Sequence, residues 1–374
     1  MEHALKILRG LGSCPATPFF EELPAQYITE ALRRAGVDYQ LDEFGNIVAH
    51  VPAAVEPSGT PVAFVAHMDH PGFEVVEIEG TGAVARAMGG VPAASLTKSV
   101  PVFVLAPDGR RIPGVTEPHE DTVDPNDRSS ERLVRVRLDE TIGLEPPLPL
   151  VFDLADFALD GDMIRMRAVD DLAGCAAILA ALERVAATGS ATDVYGVFTR
   201  AEEGGLFGAR LMAEAATLPK ETAIVSVESS SVIPGVTQGA GPVIRTGDAL
   251  TTFDSEAERV LTAAVASIRG REPEFKAQRQ LMSGGVCEAT AFSSAGYVVT
   301  GVAFPLGNYH NATTVIPDPE GGVAEEYIRV SDYLGGVELL AEAAMQSGGA
   351  QGVPSRLGGV TDDVRERLRD SKGW

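Results

Sequence analysis

The sequence predicts an α/β protein in which a mainly parallel sheet flanked by helices is interrupted by an inserted β-rich segment. Three observations carry that expectation. Short, continuous apolar runs alternate with helical periodicity in the first 71 residues and again beyond residue 165, the rhythm of strands and covering helices. Between residues 73 and 167 the texture changes to short strand-like runs broken by Gly and Pro, with no helical periodicity. At 374 residues the chain exceeds the size at which a single core stops growing, so two structural units are expected.

In order, the chain opens on a helix and then a second one through residues 27–35, which stops at Gly36. A strand pair follows within residues 39–49, turning at Gly45. The apolar run Val62-Ala63-Phe64-Val65-Ala66, after a Pro/Gly-rich loop, suits a strand buried on both faces, with His67 at its C-terminal end. Inside the insert, residues 73–78, 100–105 and the alternating 132–138 read as strands of a small barrel. Beyond it come a helix over 171–186, a strand over 194–199, a helix over 206–216 and a strand over 223–227. A helix over 256–268, a strand over 298–304 and a last helix near 327–345 complete the pattern. The predicted organisation is a catalytic α/β unit of residues 1–71 and 165–345, an insert of residues 72–164, and a weakly ordered tail of residues 346–374.

The core this composition can build is aliphatic: 45% of residues are hydrophobic but only 6% aromatic. A formal charge of −23 argues against nucleic acid or an anionic membrane as partner, because phosphate binding needs a basic footprint. The same carboxylate excess could be neutralised by divalent cations gathered in a site. Cys14, Cys175 and Cys287 form no CxxC pair, which argues against a disulfide framework or a structural zinc finger. With no export signal or long apolar span legible, a cytoplasmic location is the expectation.

Five candidate ligands fall at or just beyond the ends of the expected strands: His67, Asp170, Glu203, Glu228 and His310. That carboxyl edge is where ligands bind in open α/β sheets. Each residue has a plainer reading. His67 could be a core histidine, and Asp170 or Asp171 could cap the helix that follows. Glu228 could be a solvated strand end and His310 a surface-loop residue. The adjacent Glu202 and Glu203 could simply complement a helix dipole, although neighbouring acids repel unless a cation or proton intervenes. In the sharper reading one of them binds metal and the other is a base. Two imidazoles and three carboxylates suit zinc, cobalt or manganese, and a bridging carboxylate lets two ions sit about 3.5 Å apart. Asp69, in His67-Met68-Asp69, could orient the imidazole.

The segments Ala66-His67-Met68-Asp69, Ala168-Val169-Asp170-Asp171-Leu172-Ala173-Gly174-Cys175, Glu202-Glu203-Gly204-Gly205-Leu206-Phe207-Gly208-Ala209 and Tyr309-His310 resemble the metal-site motifs of the TET-type (glutamyl/deblocking) aminopeptidases. Their order and spacing match from Leu5 to about Met345. The resemblance implies a zinc-peptidase-like fold with two divalent ions, most suitably zinc, in which Asp170 bridges. His67 and Glu228 would complete one shell, Glu203 and His310 the other, with Glu202 as general base and Asp69 behind His67. It further implies that the insert is a PDZ-like dimerisation domain and that the chain is a homo-oligomer acting on peptides. This chain departs from the family pattern at Leu172, Glu228, His70-Pro71 and Gly284-Gly285-Val286-Cys287-Glu288. The alternative enzyme reading is a related N-acyl-amino-acid amidohydrolase or carboxypeptidase/dipeptidase, a branch that usually carries an α/β lid elsewhere in the chain. A noncatalytic metal-binding or assembly protein of the same fold is the third reading.

Overall fold

The structure is a computed structural model and describes residues 2–54, 59–122, 124–127, 130–346 and 361–370. Helices α1 (Glu2–Gly12) and α2 (Glu22–Ala35) lead into strands β1 (Asp38–Leu41), β2 (Ile47–Val51) and β3 (Val62–His67). Next come β4 (Gly72–Glu79), β5 (Gly82–Met88), the one-turn α3 (Ala94–Thr97), β6 (Pro101–Leu105), β7 (Arg111–Pro118), β8 (Leu133–Leu138) and β9 (Leu148–Phe152). The hairpin β10 (Ala158–Asp160) and β11 (Met163–Met166) precedes α4 (Leu172–Thr188), β12 (Val194–Thr199), α5 (Phe207–Glu214) and β13 (Ala223–Ser231). Then follow β14 (Val243–Arg245), α6 (Ser255–Arg271), β15 (Gln278–Gln280), α7 (Glu288–Ser294), β16 (Val299–Leu306), β17 (Glu326–Arg329), α8 (Val330–Gln346) and α9 (Asp362–Asp370).

Eight strands form the main sheet in the order β1-β2-β12-β3-β13-β16-β14-β15. Its centre, β12-β3-β13-β16, is parallel, whereas β1, β2 and β14 join antiparallel. The expected mainly parallel sheet is therefore a mixed one. Its outer strands β14 and β15 are three residues long, too short to show a periodicity. The expectation of a helix from residue 327 also fails at its start. Residues Glu326–Arg329 pair with Met163–Met166 as β17, and the helix begins only at Val330.

Alternation builds the layers. In β3, Val62, Phe64 and Ala66 pack with α1, α2, α4 and α8, while Ala63 and Val65 face α5 and α7 on the other side. Every β3 residue is buried, as expected of a central parallel strand covered on both faces. Helix α4 is apolar on nearly all sides, and Gly196 of β12 lets it approach the sheet closely. A Cβ there would lie 2.4 Å from Leu182 Cδ1. Strands β4-β5-β8-β7-β6-β9 close into an antiparallel barrel with its own core, in which Phe73 meets Phe152 edge-on at 5.6 Å.

Of the tail, residues 361–370 are described and include α9; the expectation of weak order for residues 347–360 and 371–374 lies outside the described residues. Among the described residues no helix is long and apolar enough to cross a membrane.

Candidate active site

The parallel centre of the sheet delivers side chains to one edge. His67 is the last residue of β3, in register with Thr199 at the end of β12, and Glu228 sits toward the C-terminal end of β13. Asp170 lies in the turn from β11 into α4, Glu202 and Glu203 lie in the turn between β12 and α5, and His310 follows β16. Asp171 is the cap of α4, accepting from the Gly174 N–H at 3.2 Å. Of the two adjacent aspartates, the capping role the sequence leaves open between them falls to Asp171.

These residues converge. His67 Nε2 is 3.3 Å from Asp170 Oδ1 and 3.9 Å from Glu202 Oε2. His310 Nε2 is 3.0 Å from Glu203 Oε1 and 3.7 Å from Asp170 Oδ2. Two groups, His67/Asp170/Glu228 and Asp170/Glu203/His310, each place their donor atoms within 4.8 Å of one another and share Asp170; a third group joins His67, Glu202 and Glu203.

The hydrogen bonds behind these side chains fix which ring nitrogen faces the carboxylates. His67 Nδ1 lies 3.0 Å from the Asp69 carbonyl oxygen, and His310 Nδ1 lies 3.0 Å from that of Gly90. A carbonyl can only accept, so each imidazole donates from Nδ1 and turns Nε2 toward the carboxylates. In its neutral form His67 presents the Nε2 lone pair to Asp170 Oδ1, a buried oxygen with no hydrogen-bond partner. Two acceptors face to face call for a proton or a cation between them, and this nitrogen and oxygen set fits a divalent ion.

Electrostatics point the same way. Burial opposes the charged form of His67, but Glu202, Asp170 and Asp69 outweigh it and hold the pKa well above the ordinary value. His310 is raised likewise, against burial, by Glu203 and Asp170. Burial would raise Glu203, yet His310 pulls it down to about 2. Glu202 and Glu228 are pushed well up, foremost by burial and then by neighbouring carboxylates. The cluster is a sink for positive charge.

Asp69 acts mainly on the glutamate turn. Its carboxylate oxygens accept the Glu202 and Glu203 N–H groups, each at 3.0 Å, and its backbone carbonyl orients His67. Upstream in the same turn, Asn46 Oδ1 accepts from Arg200 N and Glu21 Oε1 from Ala201 N, both at 2.9 Å. Four successive N–H groups are thereby held by buried side chains. Glu21 and Asn46 are not recognisable from sequence, because a lone polar residue carries no local sign that a distant turn will bury it.

A cleft of about 610 Å³ opens over the cluster, walled by Leu206, Arg210, Leu250, Val286, Tyr309 and Ile316. Beside it, sharing Glu228, Gly284, Gly285, Val286 and Tyr309 as walls, is a smaller recess lined by Arg245. Arg245 is 2% exposed, and its Nε and Nη1 have no hydrogen-bond partner among the described residues.

The family model described as M42 glutamyl aminopeptidase matches residues 45–318. An Acetivibrio thermocellus protein, provisionally named an aminopeptidase, is 25% identical over 340 residues, covering 86% of this chain and 93% of that protein. The fold is similar to that of the Pyrococcus horikoshii TET1 peptidase, with a TM-score of 0.74 at 21% identity over 92% of this chain and 99% of that one. It is also similar to the aminopeptidase APDkam598 of Desulfurococcus kamchatkensis, with a TM-score of 0.73 at 22% identity over 95% and 99% of the two chains.

Proposed function

Because the chain belongs to the M42 glutamyl aminopeptidase family and is thus a peptide-bond hydrolase, we propose that it is a dinuclear metal-dependent aminopeptidase with a preference for an acidic first residue. The observation that carries this reading is the pair of donor groups sharing Asp170, with Glu202 beside them. His67 and Glu228 would hold one ion and Glu203 and His310 the other, with Asp170 between them; zinc suits the set best, and cobalt or manganese would also be accepted. When bound, two such ions polarise the scissile carbonyl and acidify water.

Glu202 is the general base, taking the proton of the attacking water and returning it to the leaving amine. Burial, followed by the neighbouring carboxylates, pushes its pKa well above the ordinary glutamate value, the direction in which a carboxylate becomes a stronger base. Arg245 receives the first side chain: its Nε and Nη1 lack the hydrogen-bond acceptor that a substrate carboxylate would supply, although the charges of Glu228, Asp248 and Glu288 already act on it. The glutamyl description of the family supports the same preference. Homo-oligomerisation through the inserted barrel belongs to this reading, supported by the assembly of the P. horikoshii relative into a tetrahedron or a large octahedral shell. A solution mass equal to the monomer would remove that part.

The test is to load the protein with two equivalents of zinc, cobalt or manganese and present it with unblocked peptides. Release of free N-terminal amino acids, abolished by a chelator, is expected. No release across a broad panel with both ions bound would refute the proposal, and preferential hydrolysis of N-acetyl amino acids would turn it into an amidohydrolase.

A further inference from the structure

The first residue of β17, Glu326, is fully buried and reaches between two segments that supply the site. Its Oε2 accepts the N–H groups of Val169 at 2.8 Å and Asp170 at 3.0 Å, and its Oε1 accepts the N–H of His310 at 2.8 Å. Asp170 and His310 are 140 positions apart in sequence, so their approach is a tertiary matter. His310 has φ 55, between Asn308 at 52 and Asn311 at 64, in the left-handed region that side chains rarely adopt. Such a backbone persists only when its surroundings over-determine it. Asn311 adds to the restraint by donating from Nδ2 to the carbonyls of Arg167 at 2.8 Å and Ala324 at 3.1 Å.

We propose that Glu326 is a positioning residue for the paired-ion site, setting the separation of Asp170 and His310 through three backbone N–H bonds that only a carboxylate can accept together. This rests on the dinuclear reading above. All three partners are donors, on both oxygens, so an amide of the same shape must turn its NH₂ against at least one of them. Glutamine keeps more bonds by presenting its oxygen to Val169 and Asp170, which leaves NH₂ against the His310 N–H. The strained His310 turn is then the part that gives way. The effect is asymmetric: the ion position of Glu203 and His310 weakens, while that of His67 and Glu228 is spared.

The experiment titrates zinc into metal-free wild type, Glu326→Gln, Glu326→Asp and a remote core control, Val136→Ala in β8, by calorimetry, with thermal unfolding of each protein recorded in parallel. Wild type is expected to bind two ions per chain. Glu326→Gln is expected to bind the first ion normally and the second about 10- to 100-fold more weakly, the range for outer-shell partners of metal ligands. Glu326→Asp keeps two acceptor oxygens one methylene shorter, so it should retain a tighter second site than Glu326→Gln, and it carries the comparison if the glutamine variant fails to fold. Equal loss at both positions, no loss at either, a second site in Glu326→Asp no tighter than in a folded Glu326→Gln or no weaker than in wild type, or the same loss in Val136→Ala overturns the inference. A wild type that binds fewer than two ions overturns the dinuclear reading itself.

Discussion

Replacing Arg245 by Met removes one charge from the recess while keeping most of the side-chain volume. The guanidinium is 2% exposed and its Nε and Nη1 have no hydrogen-bond partner among the described residues, so an incoming carboxylate displaces no hydrogen bond from those two nitrogens. Hydrogen bonds to charged groups contribute about 1.5–3 kcal/mol net. At about 1.4 kcal/mol per tenfold, that is roughly 10- to 150-fold in kcat/KM for a substrate with an N-terminal Glu. A substrate beginning with Leu presents no carboxylate to the recess, so its kcat/KM should fall less than that of the Glu substrate. The assay compares Glu-, Gln- and Leu-p-nitroanilide turnover by wild type and Arg245→Met, both loaded with two metal ions. A wild type that prefers Leu to Glu, or a variant that loses all three activities equally, would refute the assignment of Arg245 to the first side chain.

Glu202→Gln should lower kcat by about 10²- to 10⁴-fold, the usual contribution of a general base, and leave bound metal unchanged by elemental analysis; near-normal turnover would remove Glu202 from the mechanism. Asp156 is shifted downward: burial raises it, but Arg111, with Nη2 3.0 Å away, and Arg167 outweigh burial. A depressed carboxyl stabilises the fold above its unfolded pKa and loses that contribution as pH falls through the folded value, so wild type should lose melting temperature more steeply than Asp156→Asn below about pH 4. Parallel curves would exclude the pairing as a source of acid lability. In Gly196→Ala, the new Cβ meets Leu182 Cδ1 at 2.4 Å and Ile178 Cγ2 at 2.9 Å. Overpacking of this kind costs about 1–3 kcal/mol, readable as a lower denaturant midpoint; an unchanged midpoint would mean that α4 has room to move.

Much of the fold could be read from local pattern. The continuous apolar run of β3 told of burial on both faces, and the alternation in 133–138 told of a barrel strand with one side inward. The strands β14 and β15 could not be read, because three residues held at a sheet edge owe their conformation to the neighbour they pair with. Residue 327 was misread for the same reason: apolar residues before α8 continue a helical period, and only pairing with β11 makes them a strand.

At the site, the sequence by itself determined which chemistry was available. Histidine and acidic residues stand at strand ends, where a parallel sheet opens its ligand edge, and adjacent acids at 202 and 203 signal a need for positive charge. Only the tertiary structure decided how those residues meet: that both imidazoles donate backward to carbonyls, that Asp69 holds the glutamate turn, and that Asp170 stands between two donor groups. The physical reason is burial. A carboxylate such as Glu326 or a guanidinium such as Arg245 looks in sequence like any surface charge, and only segments many positions away bury it, surrounding the one with backbone donors and leaving two nitrogens of the other without a hydrogen-bond acceptor.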